Sequence, residues 1–175
     1  MSVRAGVSGL NIVFDPTRVA GTVAFGAAAL ACFHAAAVTP RRSYLWWLLG
    51  AVQLACLLEV LLGLRYGWHD TVKSLLQERG WYASRGQWQA ELLAVALALI
   101  AVLAIFAAWR HRVDGAGRVA IAGTALGVSL LGTEAISLHR VDAIMYARLG
   151  PFDALVWMWL AAAAIVVTAA LARRR

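Results

Sequence analysis

Five runs of about 20 apolar residues constrain this chain more than any other feature of its sequence. A helix of about 20 apolar residues crosses the hydrocarbon core of a membrane, because each residue adds 1.5 Å and the core is about 30 Å thick. The runs therefore predict an all-α integral membrane protein, with one transmembrane domain over residues 1–175 and a five-helix bundle. A four-span alternative lays the first run on the membrane surface, because that run is rich in alanine and contains His34. The predicted spans are about 18–38, 44–64, 90–109, 119–138 and 152–171.

The composition supports a membrane protein and excludes several other classes. Hydrophobic residues make up 62% of the chain and charged residues 14%, against about 45–50% and about 25% in soluble domains. Disorder, collagen and a disulfide scaffold are thereby excluded. Basic residues outnumber acidic ones by 16 to 9, but they lie in short loops and at the C-terminal end, so we expect no nucleic-acid partner. The excess of arginine and alanine is typical of a GC-rich bacterial genome, which predicts a bacterial inner-membrane protein.

Local signals mark the start of the first helix and a segment between the second and third spans. Asp15 is a good N-cap residue, and Pro16 suits the first helical position. Residues 70–88 combine apolar and polar positions at helical spacing, which predicts an amphipathic segment lying at the membrane interface. Ser84 and Gln87 form a capping-box pattern before the third span.

The basic residues also predict an orientation. They divide equally between the two sides, with eight on each, but those on one side are concentrated in two short turns and a tail. Short loops carry most weight in the positive-inside rule. We therefore expect the N-terminus outside and the C-terminus in the cytoplasm. The dense group consists of Arg41, Arg42, Arg110, Arg112, Arg118 and Arg173–Arg175.

Small residues recur on two of the predicted helices. Gly123 and Gly127 form a GxxxG pattern, which allows close helix approach in membranes. A four-residue spacing of small residues on the first span has the same effect, at Ala24, Ala28, Cys32 and Ala36. The predicted partners are the lipid bilayer and, through these small-residue faces, other membrane chains or a second copy.

Polar residues within the spans are expected to face protein. Gln53, Cys56 and Glu59 recur every third residue and form one broad stripe on the second helix. Glu134 lies near the end of the fourth span, where the GxxxG helix is expected to carry it into the bundle. Carboxyl groups in a membrane usually face the bundle interior, because exposure to lipid is costly.

A cluster of possible metal ligands falls toward the outer face in this topology. Carboxylate and imidazole groups together suit iron, manganese or zinc. The alternative is structural, with Asp142 pairing with His139 or an arginine and Tyr146 anchoring the interface. The candidate ligands are Glu59, Glu91, Glu134, His139 and Asp142.

Two other cofactor sites are compatible with the sequence. A haem needs axial histidines, and His69 and His139 are the one pair on different segments at a common depth. A quinone or lipid site could use Trp157, Trp159 and Glu59, although both tryptophans also fit an aromatic belt at the interface. The sequence alone does not identify a cofactor.

No catalytic motif stands out, so we expect a non-catalytic role. The first hypothesis is a small accessory, scaffold or binding subunit of a larger membrane assembly, because the helices carry faces suited to packing. The alternative is a metal- or cofactor-binding membrane redox protein that uses the outer cluster. A small transporter is the second alternative, although neither inverted repeats nor interrupted helices are visible in the sequence.

Overall fold

The computed structural model describes residues 15–39, 43–64, 71, 74, 77–78, 85–110, 113–136 and 139–172, and the side chains of 85, 86, 110, 139 and 140 are outside this description. Five helices in it are long and apolar enough to cross a membrane. This confirms a multi-pass helical membrane protein. The long helices are α1 (Pro16–Val38), α2 (Ser43–Leu62), α3 (Arg85–Arg110), α4 (Gly115–Ile136) and α6 (Ala154–Ala172), and a short α5 (His139–Met145) precedes α6.

The first helix begins as its sequence predicts and belongs to the bundle. The backbone N–H of Thr17 donates to Asp15 Oδ1 at 3.0 Å, and Pro16 occupies the first turn. One side of α1 is buried, including Ala28 and Cys32, and the helix packs against α2 and α6. The alternative that lays this helix on the surface is therefore wrong.

Four of the long helices form a closed ring, and the fifth lies outside it. Helix α1 contacts α2 and α6, and α4 contacts the same two helices from the other side. Helix α3 packs chiefly against α4. It has the most apolar window of the five helices, yet none of that window is buried in the chain. An all-round apolar surface of this kind is what a helix needs in order to contact lipid along most of its circumference.

Aromatic side chains fill the centre of the ring. Phe25 and Trp159 pack with ring centroids 5.8 Å apart and planes tilted by 58°. Trp159 is only 1% exposed, so its assignment to an interfacial belt is wrong. Trp157 is 44% exposed and donates from Nε1 to the Leu149 carbonyl at 2.9 Å, which is compatible with a belt position. The two tryptophans differ because helical residues two apart point to opposite sides.

The predicted small-residue faces are used for packing inside the chain. A Cβ atom on Gly123 would lie 2.9 Å from Ile165 Cγ2 and Val166 Cγ2, so α4 and α6 are in direct contact there. A Cβ on Gly127 would lie 3.2 Å from Phe25 Cε1. The small residues of α1, Ala24, Ala28, Cys32 and Ala36, are all buried. Association with other chains stays a prediction, and it needs surfaces other than these buried faces.

The connection between α4 and α6 contains a small hairpin that the all-α prediction did not include. Strand β1 (Arg148–Leu149) pairs antiparallel with β2 (Phe152–Asp153). Gly150 turns the chain with φ of 71°, a left-handed conformation that glycine adopts at little cost. Because residues 152–153 are used in this pairing, α6 begins at Ala154 and not at 152.

Two further boundaries can be compared with the sequence. Helix α3 begins at Arg85, earlier than the predicted span, because a helix continues beyond the hydrocarbon core. Most of the predicted amphipathic segment, and Ser84 of the capping box, fall outside the described residues. Thr71, Ser74, Gln77 and Glu78 are helical and exposed within that segment.

We expect Gly123→Ala to lower the free energy of unfolding by about 1–3 kcal/mol, the usual effect of overpacking. The added methyl group would meet α6 at 2.9 Å, and the Ala162 carbonyl oxygen at 3.1 Å leaves it no room. The measurement is denaturation in detergent micelles, followed by circular dichroism.

Gly132→Ala is the matched control on the same helix, since nothing lies within 4 Å of its added Cβ. Alanine has the higher helix propensity, so this variant should be unchanged or slightly more stable. Equal stability of the two variants would contradict the close approach at Gly123.

Candidate functional site

Glu134 lies where the polar pattern places it, inside the bundle near the end of α4. Its side chain is 8% exposed. The hydroxyl of Tyr146, just beyond α5, donates to Glu134 Oε1 at 3.0 Å. This bond connects the α5 region to α4, so Tyr146 has a structural role beyond that of an interfacial anchor.

The other candidate metal ligands lie on three different elements. Glu91 is exposed on α3 and accepts a hydrogen bond from Gln87 Nε2 at 3.1 Å. Glu59 on α2 and Asp142 on α5 are half-buried. His139 begins α5, but its side chain is not described.

The described side chains do not form a metal centre by themselves. Within the described ranges, no group of three or more His, Cys, Asp or Glu residues is placed to hold a metal ion. A centre that includes His139 stays a prediction, as does the pairing of Asp142 with that histidine.

The two other cofactor hypotheses have different outcomes. His69 lies outside the described residues, so a haem held by His69 and His139 stays a prediction. In the proposed quinone or lipid site, Trp159 is buried against Phe25. That tryptophan is therefore a core residue, and only Trp157 and Glu59 are left to line such a site.

One polar contact between α3 and α4 was not predicted. Gln89 Nε2 on α3 donates to the Ile136 carbonyl at the end of α4, at 3.0 Å. The last carbonyl groups of a helix have no partner within the helix. A polar residue at the start of α3 was the only signal for this contact, and the sequence does not show which carbonyl it reaches.

An apolar cleft between α2, α3 and α4 has the form of a binding site. Its volume is about 410 Å³, within the range of about 300–1,000 Å³ that is usual for ligand pockets. Among the described residues that line it, Thr124 alone has a polar side chain. The lining consists of Leu45, Leu48, Leu49, Val52, Ile100, Leu103, Ala104, Phe106, Ala107, Ile121, Thr124, Ala125 and Val128.

Behind the cleft, Thr124 is joined to Gln53. Gln53 Nε2 donates to Thr124 Oγ1 at 3.0 Å, and the two residues are 2% and 6% exposed. The prediction that the polar stripe of α2 faces protein is confirmed for Gln53 and Cys56, which are both buried, while Glu59 is half-buried. The stripe predicted that Gln53 is inward but not that Thr124 is its partner.

The hydroxyl of Thr124 differs from those of other helical threonines. Thr22, Thr133 and Thr168 each donate to the carbonyl four residues earlier, at 2.7 Å. Thr124 makes no such bond within the described part of the chain, where its hydrogen bond is the one it accepts from Gln53. Its hydroxyl proton is therefore available to an acceptor from outside these residues.

Comparison with known proteins assigns no family. No family model, curated protein or solved structure matches this chain.

Tyr146→Phe should lower the free energy of unfolding by about 1 kcal/mol, because it removes a partly buried hydrogen bond. The readout is the denaturation midpoint in detergent. In a Glu134→Leu background the same substitution should cost less, because the acceptor of the bond is already absent. Additive effects of the two substitutions would mean that the bond contributes nothing to stability.

Proposed function

We propose that this chain is a non-catalytic membrane subunit that binds a small apolar ligand in the cleft between α2, α3 and α4. The cleft is the observation that carries the proposal, because it combines a ligand-sized volume with an almost wholly apolar lining. Ligands of this kind reach such a site from the bilayer itself.

The position of α3 supports this function. One wall of the cleft is α3, through Ile100, Leu103 and Ala107, and α3 lies outside the four-helix ring. A molecule dissolved in lipid can therefore reach the cleft from the side, without entering the ring. The ring supplies the opposite wall through α2 and α4.

We further propose that the subunit works within a larger membrane assembly in a bacterial inner membrane. None of the apolar window of α3 is buried in the chain, which leaves this helix open to neighbouring chains or lipid. The density of arginines supports an outside N-terminus and a cytoplasmic C-terminus. The cleft then lies toward the cytoplasmic half, since its residues belong to the first half of α2 and the second half of α3.

Ala104→Phe should fill the cleft and exclude its ligand. The probe is a long-chain alkane that carries a photoreactive diazirine, added to the protein in phosphatidylcholine nanodiscs. Mass spectrometry of the labelled peptides should show labelling of cleft residues such as Leu49 and Val128, and this labelling should fall several-fold in the variant.

Ala101→Phe is the control, because Ala101 is exposed on the lipid side of α3 at nearly the same depth. It should leave labelling of the cleft unchanged. The labelling of cleft residues is compared with that of the lipid-facing residues of α3 in the wild type and in both variants. Equal labelling of the two sets in all three proteins would contradict a ligand site.

A reporter that is active only in the cytoplasm should be active when it is fused after Arg175, and one that is active only outside the membrane should be inactive there. A second fusion after Glu78, between α2 and α3, should report the outside of the membrane. The pair checks the orientation, because the two fusion points are separated by three spanning helices. An external signal from the Arg175 fusion would reverse the topology.

A further inference from the structure

We infer that the ligand of the cleft is a neutral molecule with an apolar chain and a carbonyl oxygen, the chemistry of an isoprenoid quinone, and that its carbonyl accepts a hydrogen bond from Thr124. The inference rests on the proposed function, because it names the ligand class of the same cleft.

Gln53 holds the hydroxyl of Thr124 in an orientation suited to donation. The amide of Gln53 donates to Thr124 Oγ1 at 3.0 Å, which occupies one acceptor position of the hydroxyl and leaves its proton to be donated. Within the described residues, that proton does not make the intrahelical bond that Thr22 and Thr133 make. A hydroxyl that accepts one hydrogen bond becomes a better donor for the next. A buried donor without an acceptor is unfavourable, so a ligand with an acceptor oxygen is favoured in the cleft over a plain hydrocarbon.

The depth of Thr124 selects among molecules that have such an oxygen. Thr124 is nine residues after Gly115 and 12 before Ile136, which places it about 13 Å and about 18 Å from the two ends of α4. It is therefore near the middle of a hydrocarbon core about 30 Å thick. The ester carbonyls of a phospholipid stay beside its polar headgroup at the edge of the core. The acceptor must belong to a molecule that can lie at the midplane.

The lining of the cleft selects for a neutral ligand. No ionisable side chain is among the described residues that line it, and a charge in such a place is costly without a partner. A fatty acid carboxylate is therefore disfavoured. Leucine, valine and alanine side chains extend along the cleft for about 10 Å on each helix, from Leu45 to Val52 on α2, and this surface suits the chain of a quinone.

The test compares two probes that differ in their oxygens. Decylubiquinone and n-decylbenzene are titrated into nanodiscs that contain the full chain, and bound probe is counted by native mass spectrometry. Thr124→Val should weaken decylubiquinone about 3- to 10-fold, the value of one neutral hydrogen bond, and leave n-decylbenzene unchanged. Thr124→Ser keeps the hydroxyl and should retain the affinity for the quinone.

Infrared spectroscopy gives a readout that a merely structural role would not change. With ¹³C-labelled carbonyls, bound decylubiquinone should show a lowered C=O stretching frequency in the wild type and in Thr124→Ser. The lowering should be lost in Thr124→Val. It should also be lost in Gln53→Met, although Gln53 does not line the cleft, because the threonine hydroxyl is then free to turn to its own helix.

The double variant Gln53→Met/Thr124→Val covers the case in which Thr124→Val fails to fold, since replacing both partners by apolar groups avoids an unsatisfied amide. Equal binding of decylubiquinone to the double variant and the wild type would overturn the ligand class. The cleft itself would still stand if Ala104→Phe excluded both probes. If Ala104→Phe excluded neither probe, the proposed function would be overturned as well.

Discussion

Helices in a membrane approach closely only where their side chains are small, and several glycines of this chain, among them Gly21, Gly50 and Gly123, lie at such approaches. At Gly123, α4 lies against α6 with no space for a methyl group. At Gly21, α1 accommodates the ring of Trp159, whose Cζ3 would be 2.9 Å from an added Cβ. Lipid tails are as apolar as the helix surfaces, so helix association in a membrane gains nothing from the hydrophobic effect. Close van der Waals contact is therefore the main attraction between the helices. The ring of four helices depends on it.

Two hydrogen bonds restrict the register in which the helices pack. The Gln53–Thr124 bond connects α2 to α4 near the middle of both helices, and the Tyr146–Glu134 bond connects the α5 region to the end of α4. An unsatisfied amide or carboxyl group is costly in a low-dielectric interior, so each bond disfavours a helix register that would break it. Helix α4 takes part in both bonds, which makes it the reference element for the other helices.

The fold was largely predictable because its cause is local in the sequence. Neighbouring residues alone determine the length of each span, the helix start at Asp15–Pro16 and the spacing of Gly123 and Gly127. The structure agrees with all three. The position of Trp159 was not predictable in this way, since belt and core tryptophans have the same sequence context. Its place depends on Gly21, which is far away in the chain.

The candidate site was less accessible to sequence reasoning. The polar stripe showed that Gln53 faces inward, but the cleft exists only because α3 lies beside α4 and leaves a gap to α2. No pattern within α3 encodes that gap. The carboxylates Glu59 and Glu134 were conspicuous because charge is rare in spans, whereas Thr124 was inconspicuous because a helical threonine usually donates to a carbonyl of its own helix.

Helix α3 belongs to the bundle mainly through one neighbour, and this has a mechanical consequence. Widening the cleft requires motion at the α3–α4 contact but no repacking of the ring. A ligand that touches both α2 and α3 would act as an additional bond between them, so occupancy and the docking of α3 are thermodynamically linked. Binding of a lipid-soluble molecule in the cleft would thus change the free energy with which α3 docks on the other helices.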